Sequence, residues 1–152
     1  MRKARAVAIE LDALGDTRAL WAAWLTSARG VLKIVPEALP EDRAEAARAL
    51  DDAGAGNWRV LLERFSEDHA PAFLRRDAAT SARLQAFADA GVTVGVFTDA
   101  PQELARTALA QLGAARRISA LEAGAGAFER LLEGIGEDAT VVRTRDDLLS
   151  RP

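Results

Sequence analysis

Residue types that build metal centres and covalent cross-links are absent from this sequence or nearly so. Its 152 residues include no cysteine, which excludes disulfide bonds, thiolate metal sites and a cysteine nucleophile. His69 is the single histidine, so one chain cannot assemble a metal centre from several imidazoles. No stretch approaches the roughly 20 apolar residues of a membrane-spanning helix. We therefore expect one globular, cytoplasmic domain with its own hydrophobic core and no membrane partner.

Lysine is also scarce, and the distribution of charge argues against a nucleic-acid partner. Only Lys3 and Lys33 of the 20 basic residues are lysines, and the net charge is −3. In segment 40–52 (PEDRAEAARALDD) arginines alternate with acids instead of clustering. That alternation is typical of a solvated helix face and not of a surface that follows a phosphate backbone. We expect no nucleic-acid binding and interpret Glu41 to Asp52 as a solvent-exposed helix face.

Short apolar runs predict the strands of a parallel sheet. Arg5 to Leu11 (RAVAIEL) has the length and composition of a buried strand. Further strands are predicted over 92–98, 118–121 and 139–142, with helical segments between them. Alternation of strands and helices is typical of a parallel sheet with right-handed crossovers. The sequence thus predicts an α/β fold, a three-layer Rossmann-like domain of about four strands.

A helical insertion is predicted directly after the first strand. Residues 14–77 show helical periodicity without a strand, so residues 1–13 and 78–152 form the predicted core and 14–77 form a helical cap. Three tryptophans in the insertion have the spacing of apolar helix faces. We interpret them as the core of the cap, with a crevice-facing position or a dimer contact as alternatives; they are Trp21, Trp24 and Trp58.

Local signals mark the expected ends of two helices within the insertion. Asp16 or Thr17 is a suitable N-cap for the first helix. Pro71 is expected to end the last one near His69, because proline disfavours a helical conformation at the residue before it. His69 is then interpreted as a capping residue at that helix end.

Polar residues follow the predicted strands at the edge of the sheet where such folds bind ligands. Glu10 and Asp12 follow the first strand, and because one residue separates them, strand alternation predicts that both point the same way. Thr98 and Asp99 follow the second strand, and Arg143 to Arg145 follow the fourth. We take these residues as the candidate site.

Simpler interpretations of the same residues stay open. Glu10 and Asp12 are also compatible with ordinary polar residues at a strand exit, although the downstream match at Thr98 favours a site position. Thr98 or Asp99 is a suitable helix cap. The pair Gly124 and Gly126 matches a phosphate-binding loop, but most such pairs are only loops.

Three of these features together resemble the haloacid dehalogenase-like hydrolases with a helical cap. They are the strand that ends acid-x-acid, the helical insertion directly after it, and the segment Val94–Leu112 (VGVFTDAPQELARTALAQL). The resemblance implies that Glu10 stands at the position of an aspartate nucleophile and Asp12 at that of an acid/base. It also implies that Thr98, with Asp99 beside it, holds a transferring phosphoryl group.

The sequence departs from the pattern of that family at the chemical groups. Glu10 is one methylene longer than aspartate, and a misplacement of about 1 Å can cost roughly 10²-fold in rate. The lysine that the family carries near the third strand has no counterpart, because residues 117–133 contain no lysine. Residues 142–145 (VRTR) replace the metal-binding Gly-Asp-Ser of the family. Only Asp146 or Asp147 is left as a candidate Mg²⁺ ligand.

One hypothesis connects these departures. Arg143 or Arg145 pairs with Glu10 and Asp12, and so replaces Mg²⁺ as the positive charge in an acidic crevice. Guanidinium groups suit carboxylates well. However, a guanidinium does not act as a Lewis acid toward a phosphoryl oxygen as a divalent ion does.

The leading functional hypothesis is therefore a haloacid dehalogenase-like protein with a degraded phosphatase site. It would be a pseudoenzyme without cofactor, retained as a binding or regulatory module for a small phosphorylated ligand, with a homodimer through the cap as a further expectation. The alternative is an active Mg²⁺-dependent phosphohydrolase acting on a small phosphorylated metabolite, with Asp146 or Asp147 holding the metal. A third hypothesis is a protein–protein interaction module whose crevice has no role.

Overall fold

A parallel β-sheet lies at the centre of the computed structural model, which describes residues 5–32 and 35–150. The strands are β1 (Ala6–Glu10), β2 (Thr93–Thr98), β3 (Ala120–Ala123) and β4 (Thr140–Val142). They pair in the order β3-β2-β1-β4, and all pairs are parallel. Each strand lies within two residues of its predicted position. The predicted α/β class with a four-stranded parallel sheet is confirmed.

Helices connect the strands and cover both faces of the sheet. In chain order they are α1 (Leu11–Leu14), α2 (Arg18–Val31), α3 (Arg43–Asp52), α4 (Trp58–Phe73), α5 (Ala78–Asp89), α6 (Gln102–Gln111), α7 (Ala127–Ile135) and α8 (Arg145–Ser150), with a 3-10 helix over Ala115–Arg117. The outer ends of the predicted core ranges, residues 1–4 and 151–152, lie outside the described residues. Within the described ranges, we find no helix of sufficient length and apolarity to cross a membrane.

The prediction that Pro71 ends its helix near His69 is wrong. Helix α4 continues through Pro71 to Phe73, and the amide of Leu74 donates to the carbonyl of Ala70 at 2.8 Å. Ala70 and Leu74 are both buried, so tertiary packing holds the last turn in place. Proline has a φ close to the helical value but no N–H, so α4 lacks the hydrogen bond from residue 71 to the carbonyl of Glu67, and the packing of Ala70 and Leu74 offsets that loss.

One continuous hydrophobic core joins the insertion to the sheet. It contains Ile9 and Val96 from the two central strands together with Leu20 and Leu62 from helices of the insertion. A second, smaller cluster lies on the opposite face of the sheet, beneath α7. The arrangement is the predicted three-layer one, but the helices of the insertion share the main core instead of building a separate one.

The tryptophans of the insertion lie inside this common core. Trp24 and Trp58 are almost fully buried, with ring centroids 5.7 Å apart, and Trp21 lies 5.2 Å from Trp24. The indole N–H of Trp58 donates to Asp51 at 2.8 Å, so its polar atom has a partner. The rings therefore act as core residues, and Trp21 also reaches the edge of the cleft described below.

The interpretation of Glu41 to Asp52 as a solvated face is wrong for one side of α3. Ala46, Ala47 and Leu50 are buried against the main core. Arg43 lies on the same side of the helix and is 4% exposed. A buried arginine requires hydrogen-bond acceptors, and those of Arg43 lie at the carboxyl ends of the strands.

Candidate functional site

The carboxyl ends of the parallel strands open into a cleft of about 1760 Å³. Its lining includes Glu10, Asp12, Thr98 and Asp99, so these four predicted residues are brought together. The pairing of β1 with β2 explains why these residues lie close together, since Glu10 lies opposite Phe97, the residue before Thr98. The cleft lies between this sheet edge and helices of the insertion.

Asp12 is fixed by the loop that follows it. Strand β1 ends at Glu10 and α1 begins at Leu11, so strand alternation is not the reason that both carboxylates line the cleft. Oδ1 of Asp12 accepts the backbone N–H of Thr17 at 2.9 Å and its hydroxyl at 2.6 Å. Thr17, one of the two predicted N-caps, makes no side-chain cap of α2 and instead orients Asp12.

Arg43 is the central cation of the site, and it comes from the insertion. Its Nη2 lies 3.0 Å from Oδ2 of Asp12 and 2.9 Å from Oδ1 of Asp99. Its Nη1 donates to the hydroxyl of Thr17 at 2.6 Å, and Nε donates to Asp99 at 3.0 Å. The Arg43 side chain is only 5% exposed. A buried guanidinium is tolerated because two carboxylates and a hydroxyl accept its hydrogen bonds.

Thr98, the last residue of β2, and Asp99, which follows it, both contact Arg43. Oδ2 of Asp99 accepts the backbone N–H of Arg43 at 2.8 Å, which fixes the first residue of α3 to the sheet edge. The hydroxyl of Thr98 accepts the N–H of Ala100 at 3.2 Å and lies 3.4 Å from Nη2 of Arg43. Thr98 is buried, so its hydroxyl is enclosed by the protein's own groups.

Arg143 pairs with Glu10, which is part of what we expected from the hypothesis that an arginine replaces Mg²⁺ in the cleft. Its Nη1 donates to Oε2 of Glu10 at 3.3 Å, and the guanidinium lies over the rings of Phe97 and Phe128 at 5.2 and 4.9 Å. The Arg143 side chain is 56% exposed. It neutralises Glu10 at the open side of the cleft, while Asp12 pairs with Arg43 and not with Arg143.

Arg145 has a different place from the one expected. It pairs with Asp77 and donates to the hydroxyl of Thr80 at 3.1 Å, which ties the start of α8 to the start of α5. The hydrogen bonds from Arg145 and Thr80 lower the pKa of Asp77 to about 2. The stabilising effect is therefore present above the usual pKa of 3.8 and is lost as the pH falls through about 2.

The candidate magnesium ligands do not form a metal site with Asp12. Asp146 and Asp147 lie in the first turn of α8, and the lining of the cleft stops at Arg145. Both oxygens of Asp12 already accept hydrogen bonds from Thr17 and Arg43. Across residues 5–32 and 35–150, no group of three or more histidine, aspartate or glutamate side chains is arranged to hold a metal ion. Asp12, Asp146 and Asp147 are therefore not arranged to hold Mg²⁺ together.

The glycine-containing loop after β3 is stabilised by an arginine of the following helix. Gly124 and Gly126 have φ values of 85° and 70°, which favour glycine. Arg130 pairs with Glu122 at 2.9 Å and donates to the carbonyls of Ala123, at 2.8 Å, and Ala125. The loop borders the cleft, but its carbonyls face a cation of this chain.

Arg43 and Thr17 are the site residues that our sequence reasoning missed. A signal for Arg43 was present, because it precedes Ala46, Ala47 and Leu50 by three, four and seven residues and so shares their buried helix face. An arginine on such a face needs an acidic partner. Nothing local, however, identifies that partner as Asp12 or Asp99, which are distant along the chain.

Comparison with known proteins gives a fold and no family assignment. No family model matches the chain, and no curated protein matches it. The crystal structure of a putative β-phosphoglucomutase from Thermotoga maritima is similar, with a TM-score of 0.56 and 15% identity, over 90% of this chain and 74% of that one. At this identity the likeness concerns the fold alone. It supports the predicted α/β fold with a parallel sheet.

Proposed function

We propose that this chain is a haloacid dehalogenase-like protein without phosphohydrolase activity, retained as a binding or regulatory module. The observation that carries the proposal is the position of Arg43. Its guanidinium lies among Asp12, Thr98 and Asp99, which are the residues that the family resemblance assigns to proton transfer and phosphoryl binding. A side chain of the protein thus takes the space in which a phosphoryl group would have to react.

The carboxylates of the cleft are also engaged in ways that oppose catalysis. Glu10 is hydrogen-bonded to Arg143 at 3.3 Å, so a substrate would have to displace this contact before Glu10 could attack it. Asp12 would have to release Thr17 or Arg43 before it could exchange a proton with a substrate. Arginines replace the charge of a metal ion here but not its ability to polarise a phosphoryl oxygen.

The ligand of such a module is received at the open side of the cleft. Arg143 is the half-exposed cation there, and the phenyl rings beneath it hold its guanidinium in place. A small phosphorylated ligand would compete with Glu10 for this arginine, since phosphate is a strong acceptor for a guanidinium. Ten acids and seven arginines line the cleft, and this excess of acids favours a small ligand of low negative charge over a highly charged one.

A hydrolysis assay tests the proposal directly. The wild type and Asp12→Asn are incubated with p-nitrophenyl phosphate and MgCl₂, and we expect the same background rate from both. Calorimetric titration of the wild type with MgCl₂ should give no binding heat. Turnover that requires Mg²⁺ and is abolished in Asp12→Asn would overturn the proposal and make this chain an active phosphohydrolase.

Interaction through the insertion is a second candidate function. The crevice is crossed by arginines, as expected if it has no catalytic role, and three large apolar side chains of the insertion are exposed. They are Val31, Val60 and Phe73. A homodimer through the insertion would appear in light scattering as twice the 16.2 kDa chain mass. A monomer at all concentrations would exclude self-association as the role of the insertion.

A further inference from the structure

The acceptors around Arg43 form a cage with the geometry of a guanidinium group. Asp12, Thr17 and Asp99 contribute oxygens at 2.6–3.0 Å from its donors, and the hydroxyl of Thr98 lies at 3.4 Å. We propose that this cage is a guanidinium-binding site, occupied by Arg43 of the same chain, which accepts a guanidinium ion from solution when that side chain is removed. The inference does not depend on whether the cleft hydrolyses phosphate, because it concerns the cage and not the reaction.

The direction of the donors selects a guanidinium over other cations. Nη1 is directed to Thr17, Nη2 to Asp12, and Nε with Nη2 to Asp99. A planar group with five N–H donors satisfies these acceptors together, whereas an ammonium ion is a compact charge with a different geometry. Mg²⁺ requires an octahedron of oxygens at 2.0–2.1 Å, which this fork-shaped set does not provide.

The cage is held in place by contacts that do not involve the Arg43 side chain. Thr17 fixes Asp12 through two hydrogen bonds, and the N–H of Ala100 fixes Thr98. Asp99 accepts the backbone N–H of Arg43, a contact that any residue at this position except proline retains. Helix α3 also keeps its buried apolar face. The acceptors should therefore remain assembled around a vacant site in an alanine variant.

Two carboxylates left without their cation make that vacancy a binding site. In Arg43→Ala, Asp12 and Asp99 face each other across the space that the guanidinium leaves, and their charges are no longer offset; their side chains are 17% and 37% exposed in the wild type. A cation that fits the space relieves this repulsion and restores the hydrogen bonds. Binding to the folded state then raises the unfolding temperature.

The experiment is a chemical rescue of Arg43→Ala. Unfolding temperatures are measured with guanidinium chloride up to about 20 mM, far below the molar range in which it denatures proteins. We expect the Tm of Arg43→Ala to rise by about 2–5 °C, while the Tm of the wild type does not rise. Arg48→Ala, an exposed arginine on the same helix, is the matched control and should behave like the wild type. Ammonium chloride and MgCl₂ at equal ionic strength test the selectivity.

Each outcome decides the proposal. A rise in Tm that is specific to guanidinium and to Arg43→Ala supports the cage, and loss of the rise in Arg43→Ala/Asp12→Asn assigns it to Asp12. No rise, or an equal rise with ammonium or Mg²⁺, overturns the proposal. If Arg43→Ala is unfolded at room temperature, the same titration is followed by circular dichroism. Recovery of the helical signal with guanidinium then supports the cage, and a signal that does not recover overturns it.

Discussion

Glu10 and Asp12, two of the acidic residues of the cleft, differ in what surrounds their carboxylates. Asp12 bonds to a buried guanidinium and has a side chain that is 17% exposed, whereas Glu10 bonds to the half-exposed Arg143. Exposed ion pairs contribute little to stability because water and salt screen them. A buried pair behaves differently, since loss of one partner leaves the other desolvated and without compensation.

We therefore expect Asp12→Asn to destabilise the protein far more than Glu10→Gln. Asp99 still faces Arg43 in the first variant, so we expect a loss of roughly 2–4 kcal/mol, somewhat below the usual cost of breaking a buried pair. Glu10→Gln should change the free energy of unfolding by no more than about 1 kcal/mol. Urea denaturation of the two isosteric variants measures the difference in the free energy of unfolding. Equal losses would show that the buried pair contributes no more to stability than the exposed pair.

The candidate residues were predictable, but their partners were not. Glu10, Asp12, Thr98 and Asp99 follow from the rule that ligands bind at the carboxyl ends of parallel strands. That rule says nothing about an inserted helix, because the position of α3 depends on how the whole insertion packs. The pairing of Asp12 and Asp99 with Arg43 required that tertiary information, and so the sequence led us to Arg143 and Arg145 instead.

Helix α7 approaches the sheet closely, and a glycine of β2 permits the approach. A Cβ at Gly95 would lie 2.6 Å from Leu131 and 3.1 Å from Ile135, both on α7. Leu131 is itself buried, so it has little room to move away. By contrast, Gly134 on the same helix has nothing within 4 Å of its Cβ position.

These two glycines should respond to alanine in opposite directions. Gly95→Ala forces α7 away from β2, and overpacking of this kind costs about 1–3 kcal/mol. Gly134→Ala should stabilise by up to about 1 kcal/mol, because alanine is the better helix former and meets no neighbour. Thermal unfolding of both variants gives the comparison. A stable Gly95→Ala variant would mean that α7 packs more loosely than described.

Strands were easier to locate from the sequence than the ends of helices. A buried central strand such as β2 is a continuous apolar run, and its limits are visible in the residues themselves. The end of α4 depends instead on Ala70 and Leu74, which are buried by contacts with other parts of the chain. Pro71 provided the local signal, and tertiary packing overrode it.

The insertion and the sheet share one hydrophobic core, which bears on how the molecule unfolds. Helix α4 packs against α6 of the sheet layer as well as against α2 of the insertion. The buried pairs of Arg43 with Asp12 and Asp99 join the same two parts. If the insertion unfolded alone, it would expose core residues of the sheet and leave those carboxylates unpaired. The two parts are thus expected to unfold together.

The tryptophans make this expectation measurable. Trp21, Trp24 and Trp58 all lie in the insertion, so tryptophan fluorescence reports on that part, whereas circular dichroism at 222 nm reports on helices of the whole chain. In urea, the two signals should give the same midpoint and the same slope, as in a two-state transition. An earlier fluorescence transition would mean that the insertion opens as a separate unit. Leu20, Trp24 and Leu62 of the insertion belong to the same hydrophobic core as Ile9 and Val96 of the sheet. We therefore expect the fluorescence and circular dichroism transitions to coincide.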